Sequence, residues 1–396
     1  MATTPTATEG AVYSYSDTAD ITSGLRQRVC KDIIYSTDPT DLPLRDYFGG
    51  YEKASVKSIK AEFPEDNHIA IDTTIGTAAT GWNTGSDTSG LSVTDDDVLM
   101  VGDVLLTSDG EIVIVSATGT NTIDVYARGD LGSTESNANS NGDAIYIIGN
   151  AQLEGWTYGA SPRFMTRTTK YNIVQNFEAT ISVSRDYQDV PKYGIKDEFK
   201  YQLKQNQLRI AKLLERAVIY GGLNIDTEEG SASQPRTMAG MLAPGSATSS
   251  IDIQTHAYDL SSVEIAESNL KTAMQDVFDD GGKVDTIICN SFNKGTISDW
   301  LQPYRRTDME DKKYGGIVST YDNDFGTCSI IVDRYMRQSD IILLAKKNFE
   351  IGAFEAFNVV DLPRTADALK ASVIGKYTCF LYNEEHAAVI TSTSTS

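Results

Sequence analysis

Residues 195–222 read IKDEFKYQLKQNQLRIAKLLERAVIYGG, and the fold turns on them. Ile195, Phe199, Leu203, Ile210, Leu213, Leu214, Ala217 and Val218 mark one apolar stripe, with Lys, Arg and Glu across from it. Gly221-Gly222 stop the pattern. The spacing predicts a helix over 195–221. At about 1.5 Å per residue it is roughly 40 Å long, well beyond the usual three turns. A helix of that length is a spine that crosses a whole domain.

Downstream of the spine the pattern is mixed. A second helix is predicted over 261–279, where Ser261 with Glu264 makes a capping box and Gly281-Gly282 close the end. KVDTIICN, residues 283–290, reads as a strand, and 291–301 as a short helix. Beyond Gly315, strand-like runs follow at 328–333, 340–346, 349–352, 371–381 and 387–390. Helices and strands in this order predict an α+β layer arrangement. No period of roughly 20–50 residues recurs, which disfavours a solenoid or a propeller. The Ser/Thr tail, TSTSTS, reads as frayed.

Upstream, residues 1–22 are small and polar and read as a mobile arm. Leu25, Val29 and Ile33 then repeat every four residues with Arg26, Arg28 and Lys31 between them, predicting a short amphipathic helix over 23–35. It ends in STDPTDLP, residues 36–43, where Pro39 and Pro43 forbid further helix and favour an extended path. Residues 51–68 alternate charged and apolar side chains, as an exposed ribbon strand does, and 163–184 read as its return strand. Between them, 69–150 are rich in Gly, Ser, Thr, Asn and Asp, broken by β-type runs at 98–106, 111–116, 122–126 and 143–148. Ser108-Asp109-Gly110, Gly119-Thr120-Asn121 and Asn141-Gly142 supply the turns. This predicts a small, self-contained antiparallel barrel or sandwich inserted in the ribbon.

Composition excludes several functions. The chain has 396 residues, 40% apolar and 9% aromatic, enough to bury the core of two or three ordinary domains or one elaborated one. No apolar run approaches the roughly 20 residues that span a bilayer, so no membrane partner is expected. With 34 Lys+Arg against 55 Asp+Glu the formal charge is −21, the reverse of a sequence-reading nucleic-acid binder. Cys30, Cys289, Cys328 and Cys379 show no CxxC spacing, and His68, His256 and His386 stand far apart. Met1 to Gly10 lacks the basic and apolar segments of a signal peptide.

The short motifs that could carry chemistry read more simply as structure. Gly281-Gly282-Lys283 lacks the earlier glycine and the following Ser/Thr of a phosphate-binding loop, and it follows a helix, as a cap does. Asp95-Asp96-Asp97 and Asp322-Asn323-Asp324 lack the spacing and terminal Glu of an EF-hand and read as solvated acidic turns. Glu384-Glu385-His386 has no second His for a zinc-protease helix. Arg128-Gly129-Asp130 matches a tripeptide read by some cell-surface receptors, yet it follows a strand where a Gly-Asp turn belongs. Cys289 reads as a small core side chain, and Trp82, Trp156 and Trp300 as packing anchors. No catalytic, cofactor-binding or metal-binding residues are therefore expected.

The order of parts resembles the major capsid (major head) proteins of tailed bacteriophages with the Hong Kong 97-type fold, closest to the SU-ten phage major head protein group. Four stretches carry the resemblance. They are VCKDIIYSTDPTDLPLRDYF at 29–48, a central block over 154–222, VSTYDNDFGTCSIIVDRYMRQSDIILL at 318–344, and the closing strand at 373–390. The central block holds Glu154-Gly155, Val183-Ser184, Lys192-Tyr193-Gly194 and the spine with Glu215 before Gly221-Gly222. Residues 69–150 depart from the universal fold and resemble small β modules inserted in other phage structural proteins.

The resemblance implies an N-terminal arm, 1–50, and an extended loop, 51–190, carrying the β module. A peripheral domain would combine 191–235 with 351–396, and an axial domain would span 236–350. It implies a structural protein of the virion, made in the host cytoplasm, whose main partner is itself, in hexamers and pentamers of an icosahedral or prolate head around double-stranded DNA. Portal, scaffolding or cement proteins would be further partners. A net-acidic chain repels DNA on average, so contact with the packaged duplex would be weak and non-specific; the spine's Lys196, Lys200, Lys204, Arg209 and Lys212 are candidates for a locally less acidic inner face. A tail or baseplate protein could share the β module but would not need the spine and the α+β part. An acidic hydrolase would need a base and nucleophile pair that the sequence does not offer.

Overall fold

The computed structural model describes residues 39–391, apart from 67–71, 77–80, 83–86, 136–138, 156–166, 191–194, 196, 224–233, 243–250, 252, 254–255, 262, 301–319 and 364–365. The described chain mixes helix and strand. It begins with helix α1 (Pro43–Phe48) and strands β1 (Ala54–Ser55) and β2 (Lys60–Asp66). Short strands follow: β3 (Asp72–Thr74), β4 (Leu91–Ser92), β5 (Asp103–Thr107), β6 (Ile112–Gly119), β7 (Thr122–Val125) and β8 (Ala144–Asn150). Next come β9 (Arg167–Ile173), β10 (Gln175–Ser184), the short helix α2 (Arg185–Asp189) and the spine, α3 (Glu198–Tyr220). The C-terminal part opens with β11 (Ala257–Asp259), α4 (Glu267–Asp279), β12 (Thr286–Cys289) and α5 (Ser291–Trp300). It continues through β13 (Thr320–Asn323), β14 (Gly326–Val332), β15 (Ile341–Leu344), β16 (Phe349–Asp361), β17 (Ala368–Leu381) and β18 (Ala388–Thr391).

Among the described residues the strands form four sheets. Their orders are β1-β16-β17-β10, β11-β18-β15-β12-β14-β13, the two-stranded β2-β9, and β3-β8-β5-β6-β7-β4. The chain divides into two compact units. The described part of the first is 39–42, Asn176–Leu214 and Glu355–Lys376, and the second holds Pro43–Gln175, Glu215–Phe354 and the chain from Tyr377.

In the first unit, β10 alternates, burying Phe177, Ile181 and Val183 and leaving the residues between them exposed or half-buried. Glu178 accepts from the Ser372 hydroxyl at 2.8 Å, and Lys376 pairs with Glu355 at 2.7 Å. The spine starts later than its periodicity predicts. Asp197 Oδ1 accepts the Lys200 backbone N–H at 3.2 Å and the Gln188 amide at 2.9 Å. Those hydrogen bonds hold its carboxyl below the usual range and make it the cap. Ile195 therefore precedes the helix. The stripe also differs: Leu213 is 47% exposed, while Ile210, Ala211 and Leu214 are buried.

In the second unit, β12 (TIIC) and β15 (IILL) are buried at every residue, which is why they read as unbroken apolar runs. β12 pairs parallel with β14 and antiparallel with β15. α4 packs Leu270, Ala273, Met274 and Val277 into the same cluster as Ile287, Cys289, Ile341, Leu343 and Ile390. This helix begins at Glu267, so the capping box expected at Ser261 and Glu264 does not form. Ser261 sits in a left-handed turn, φ 50°, with its N–H on Asp259 Oδ1, and Asn269 Oδ1 takes the Ala266 N–H instead. At the other end Gly281, φ 82°, and Gly282 return their N–H groups to Phe278 and Val277, as a cap does.

The end of the spine is closed by the chain that follows it. Gly240, Met241 and Leu242 donate their N–H groups to the open carbonyls of Gly221, Val218 and Ile219. A Cβ on Gly221 would stand 2.4 Å from the Ala217 oxygen and 2.5 Å from the Met238 oxygen. Gly221 is thus demanded by close backbone approach. Asn172, fully buried, ties the same segment to β17: its side chain accepts from Ala239 N at 2.9 Å and donates to the oxygens of Ala239 and Cys379.

Candidate functional site

The described chain begins at Pro39 and leads into α1. Pro43 opens this helix rather than prolonging an extended path, because its fixed φ and missing N–H suit a first helical position. Leu44 and Phe48 are buried, and Phe48 packs edge-on against Phe349 at 4.8 Å. Tyr47 exchanges a hydrogen bond with Thr286 at 2.7 Å, and Lys346 lies over its ring at 4.1 Å. The helix start is held by Glu215, whose carboxylate accepts the Arg45 N–H at 3.1 Å. Glu215 is fully buried, and burial pushes its carboxyl up to about 7 against the pull of that N–H, with Asp333 and Asp46 adding to the rise. Sequence reasoning placed Glu215 only inside a motif. The signal was present: it lies four residues from Ala211 and from Ile219, on the buried face.

The ribbon of β2 and β9 pairs antiparallel from Lys60↔Ile173 to Asp66↔Arg167. Phe63 makes edge contacts with Phe380 at 5.7 Å and Tyr382 at 5.2 Å. Lys170 pairs with Glu384 at 2.7 Å, and Glu65 accepts the Asn383 N–H at 2.8 Å. These close an open cleft of about 250 Å³ lined by Glu65, Asp66, Lys170, Glu384, Glu385 and His386. Burial raises the Glu65 carboxyl and lowers His386, so both tend towards the neutral form. Glu384-Glu385-His386 is one 3-10 turn, after left-handed Asn383.

Residues 72–150 carry a sheet with its own apolar cluster: Ile75, Trp82, Leu91, Val93, Leu99, Leu105, Val113, Val115, Ile123, Val125 and Ile145. Into it runs a buried ion pair. Arg128 donates to both oxygens of Glu111, at 2.6 and 2.7 Å, and to the Gly81 carbonyl at 3.0 Å, with its guanidinium 5.4 Å from the Trp82 ring. Gly129 N–H adds a third bond to Glu111 at 3.0 Å. Arg128 is only 7% exposed, so the Arg-Gly-Asp tripeptide presents no free guanidinium to a receptor.

The other short motifs are also engaged in structure. Asp95 and Asp96 accept the N–H groups of Asp97 and Asn121, and Asp324 pairs with Lys271 at 2.5 Å. Among the described residues no group of three His, Cys, Asp or Glu could hold a metal ion. Cys289, Cys328 and Cys379 are buried, and burial pushes each thiol up to about 12, far from a reactive thiolate. On the spine, Lys200, Lys204 and Arg209 are exposed and Lys212 is half-buried. Lys196 and Trp156 lie outside the described residues, as do the predicted 23–35 helix and the Lys192-Tyr193-Gly194 motif. Among the described residues no helix is long and apolar enough to cross a membrane.

No curated protein matches the chain in sequence. Solved structures similar to it include one described as "Mycobacterium phage Bobi", 10% identical with a TM-score of 0.46, covering 98% of this chain and 100% of that one. "Mycobacterium phage Cain" is 12% identical, TM-score 0.46, covering 98% and 100%. "Capsid of native GTA particle computed with C5 symmetry" is 11% identical, TM-score 0.47, covering 94% and 97%. The family described as SU10 major capsid protein matches residues 9–394, nearly the whole sequence. The chain belongs to that family and is a phage major capsid protein, a subunit of the virion shell.

Proposed function

We propose that the chain closes a phage head by self-association into hexamers and pentamers around double-stranded DNA, as a structural subunit without turnover. The observation that carries this is the family match over residues 9–394, which runs through arm, ribbon, spine and C-terminal strands together. In this reading residues 1–50 are an arm laid on neighbouring subunits and 51–190 are the extended loop. Residues 191–235 with 351–396 make the peripheral domain, and 236–350 the axial domain of a Hong Kong 97-type subunit. Arms and ribbons suit a shell because they lay backbone edges over adjacent copies, and several interfaces per subunit add to specific association once each approaches about 1,600 Å².

The β module belongs on the outer face. Residues 69–150 hold twelve of the acidic residues and one basic residue, Arg128, a net of −11 out of −21. That concentration of negative charge repels packaged DNA and favours the solvent side. The exposed bases of the spine, Lys200, Lys204 and Arg209, suit a weak, sliding contact with the duplex. Assembly in the host cytoplasm, with portal and scaffolding or cement proteins, completes the reading. Negative-stain images of the purified protein test it: shells or capsomer rings are expected. Protein that stays monomeric at every concentration and salt, with measurable hydrolytic activity, overturns it.

A further inference from the structure

Strands β5, β6 and β8 carry consecutive apolar residues: Val104-Leu105-Leu106, Ile112-Val113-Ile114-Val115 and Ile145-Tyr146-Ile147-Ile148. Unbroken runs of this kind belong to strands covered on both faces. Here, among the described residues, one face packs into the module's cluster; on the other, Val104 opposite Ile114 is buried and the remaining apolar positions are half-buried or exposed. Leu105, Val113, Val115 and Ile145 lie in the module's cluster, with Ile147 packed against it. The residues between them point the other way. Leu106 stands opposite Ile112 on β6 and Tyr146 on β8, so the alternate positions form one continuous row across the three strands. Leu106, Ile112 and Ile114 are half-buried, while Tyr146 is 47% and Ile148 52% exposed. Tyr126, bonded through its N–H to the Ile114 carbonyl and 48% exposed, extends the row beyond β7.

The size and charge of this face select its occupant. Its exposed apolar area is on the order of 300–400 Å², taking about half of each aromatic or large aliphatic side chain. A stable interface between two folded partners takes about 800 Å² from each. The face therefore fits one short segment better than a second folded domain. Another copy of the same module is further disfavoured by its net charge of −11, and a basic segment is favoured. The chain contains such a segment. In SGLRQRVCKDIIY, residues 23–35, Leu25, Val29 and Ile33 recur every four residues, and Arg26, Arg28 and Lys31 face a single acid, Asp32.

We propose that the outer face of the β5–β6–β8 sheet is the docking site for residues 23–35 of a neighbouring copy in the shell. Leu25, Val29 and Ile33 cover Tyr146, Ile148 and Leu106, and the basic residues meet a module whose net charge is −11, much as an amphipathic segment fills an apolar groove. The proposal rests on the shell-forming role that family membership shows, and it holds whichever side of the shell the module occupies.

The native Cys30 makes the test direct, because Cys289, Cys328 and Cys379 are all buried. Ile148→Cys is introduced in the full chain, shells are assembled and mildly oxidised, and the products are separated without reductant. The expected result is a ladder of linked chains that reductant collapses. It is absent from the parent and from the Ile148→Cys/Cys30→Ser chain, and is reduced several-fold by Arg26→Glu with Arg28→Glu. Links that survive loss of Cys30 mean that two modules face each other and overturn the proposal. So do closed single chains in place of a ladder, and so does the absence of links in normal shells. Should the Ile148 variant fail to assemble, the parent supplies a second readout. Tyr126 and Tyr146 must resist nitration in shells and react in dispersed subunits; equal reactivity in both states refutes the docking.

Discussion

Glu215 offers the sharpest test of how α1 is held. Its carboxyl is pushed up to about 7 from an ordinary 4.5, chiefly by burial, with Asp333 and Asp46 adding to the rise and the N–H groups of Arg45 and Leu44 opposing it. A group whose pKa is raised by folding favours the fold when protonated. That stabilisation is complete below about pH 4.5 and is lost as pH climbs through 7. The difference of about 2.5 units corresponds to about 3 kcal/mol at 1.36 kcal/mol per unit. Glu215→Gln keeps an oxygen for the Arg45 N–H and cannot ionise. At pH 8 it should therefore stabilise dispersed subunits by up to about 3 kcal/mol, a melting rise of about 6–10 °C for a unit of this size. At pH 4.5 the two proteins should melt within a degree or two of each other. Melting curves at half-unit pH steps decide the matter. A constant offset at every pH, or a variant less stable at pH 8, refutes the argument.

Three further outcomes are expected. Arg128→Ala removes the guanidinium that pairs with the buried Glu111 carboxyl, which should cost about 3–5 kcal/mol and expose 69–150 to protease well before the rest of the subunit melts; unchanged cleavage contradicts the pairing. A chain lacking residues 1–36 should fold around α1 and the spine yet fail to give shells of normal size and stability, as electron microscopy and heating show. Replacing 69–150 by a short Gly-Ser linker should give shells that form but rupture at lower temperature, and an unchanged rupture temperature leaves the module as decoration.

The elements were largely legible because their periods are unambiguous. β12 and β15 announced themselves as buried through TIIC and IILL, and the spine through its four-residue spacing. What failed was local. Ser261 and Glu264 satisfy the capping pattern, yet Asp259 captures the Ser261 N–H in a left-handed turn, and the helix waits for Ala266 and Asn269. Pro43 could have ended an extended segment or begun a helix, and only the burial of Leu44 and Phe48 chooses the second. Residues 98–102 have the apolar content of a strand, but they form turns and irregular backbone, and β5 starts at Asp103. Glu215 was visible as a charge on the buried face of the spine. Its partner, the backbone of a helix 170 residues away, was not.

These local failures share a cause with the module's unused face. Sequence patterns report how much burial a segment requires and say little about which segment supplies it. For β12 the requirement is met within the chain, by β14 on one side, β15 on the other and α4 in the same cluster. For β5, β6 and β8 it is met in the cluster on one face, while on the other, among the described residues, Tyr126, Tyr146 and Ile148 remain half exposed. A monomer gains nothing from carrying isoleucine and tyrosine on a solvent face beside so much negative charge, because apolar exposure invites non-specific association. In a protein whose role is to meet copies of itself, the same residues state a requirement that assembly fulfils. Residues 23–35 carry the complementary pattern of aliphatic and basic side chains. Reading both together turns two incomplete local patterns into one predicted contact, at Cys30 and Ile148.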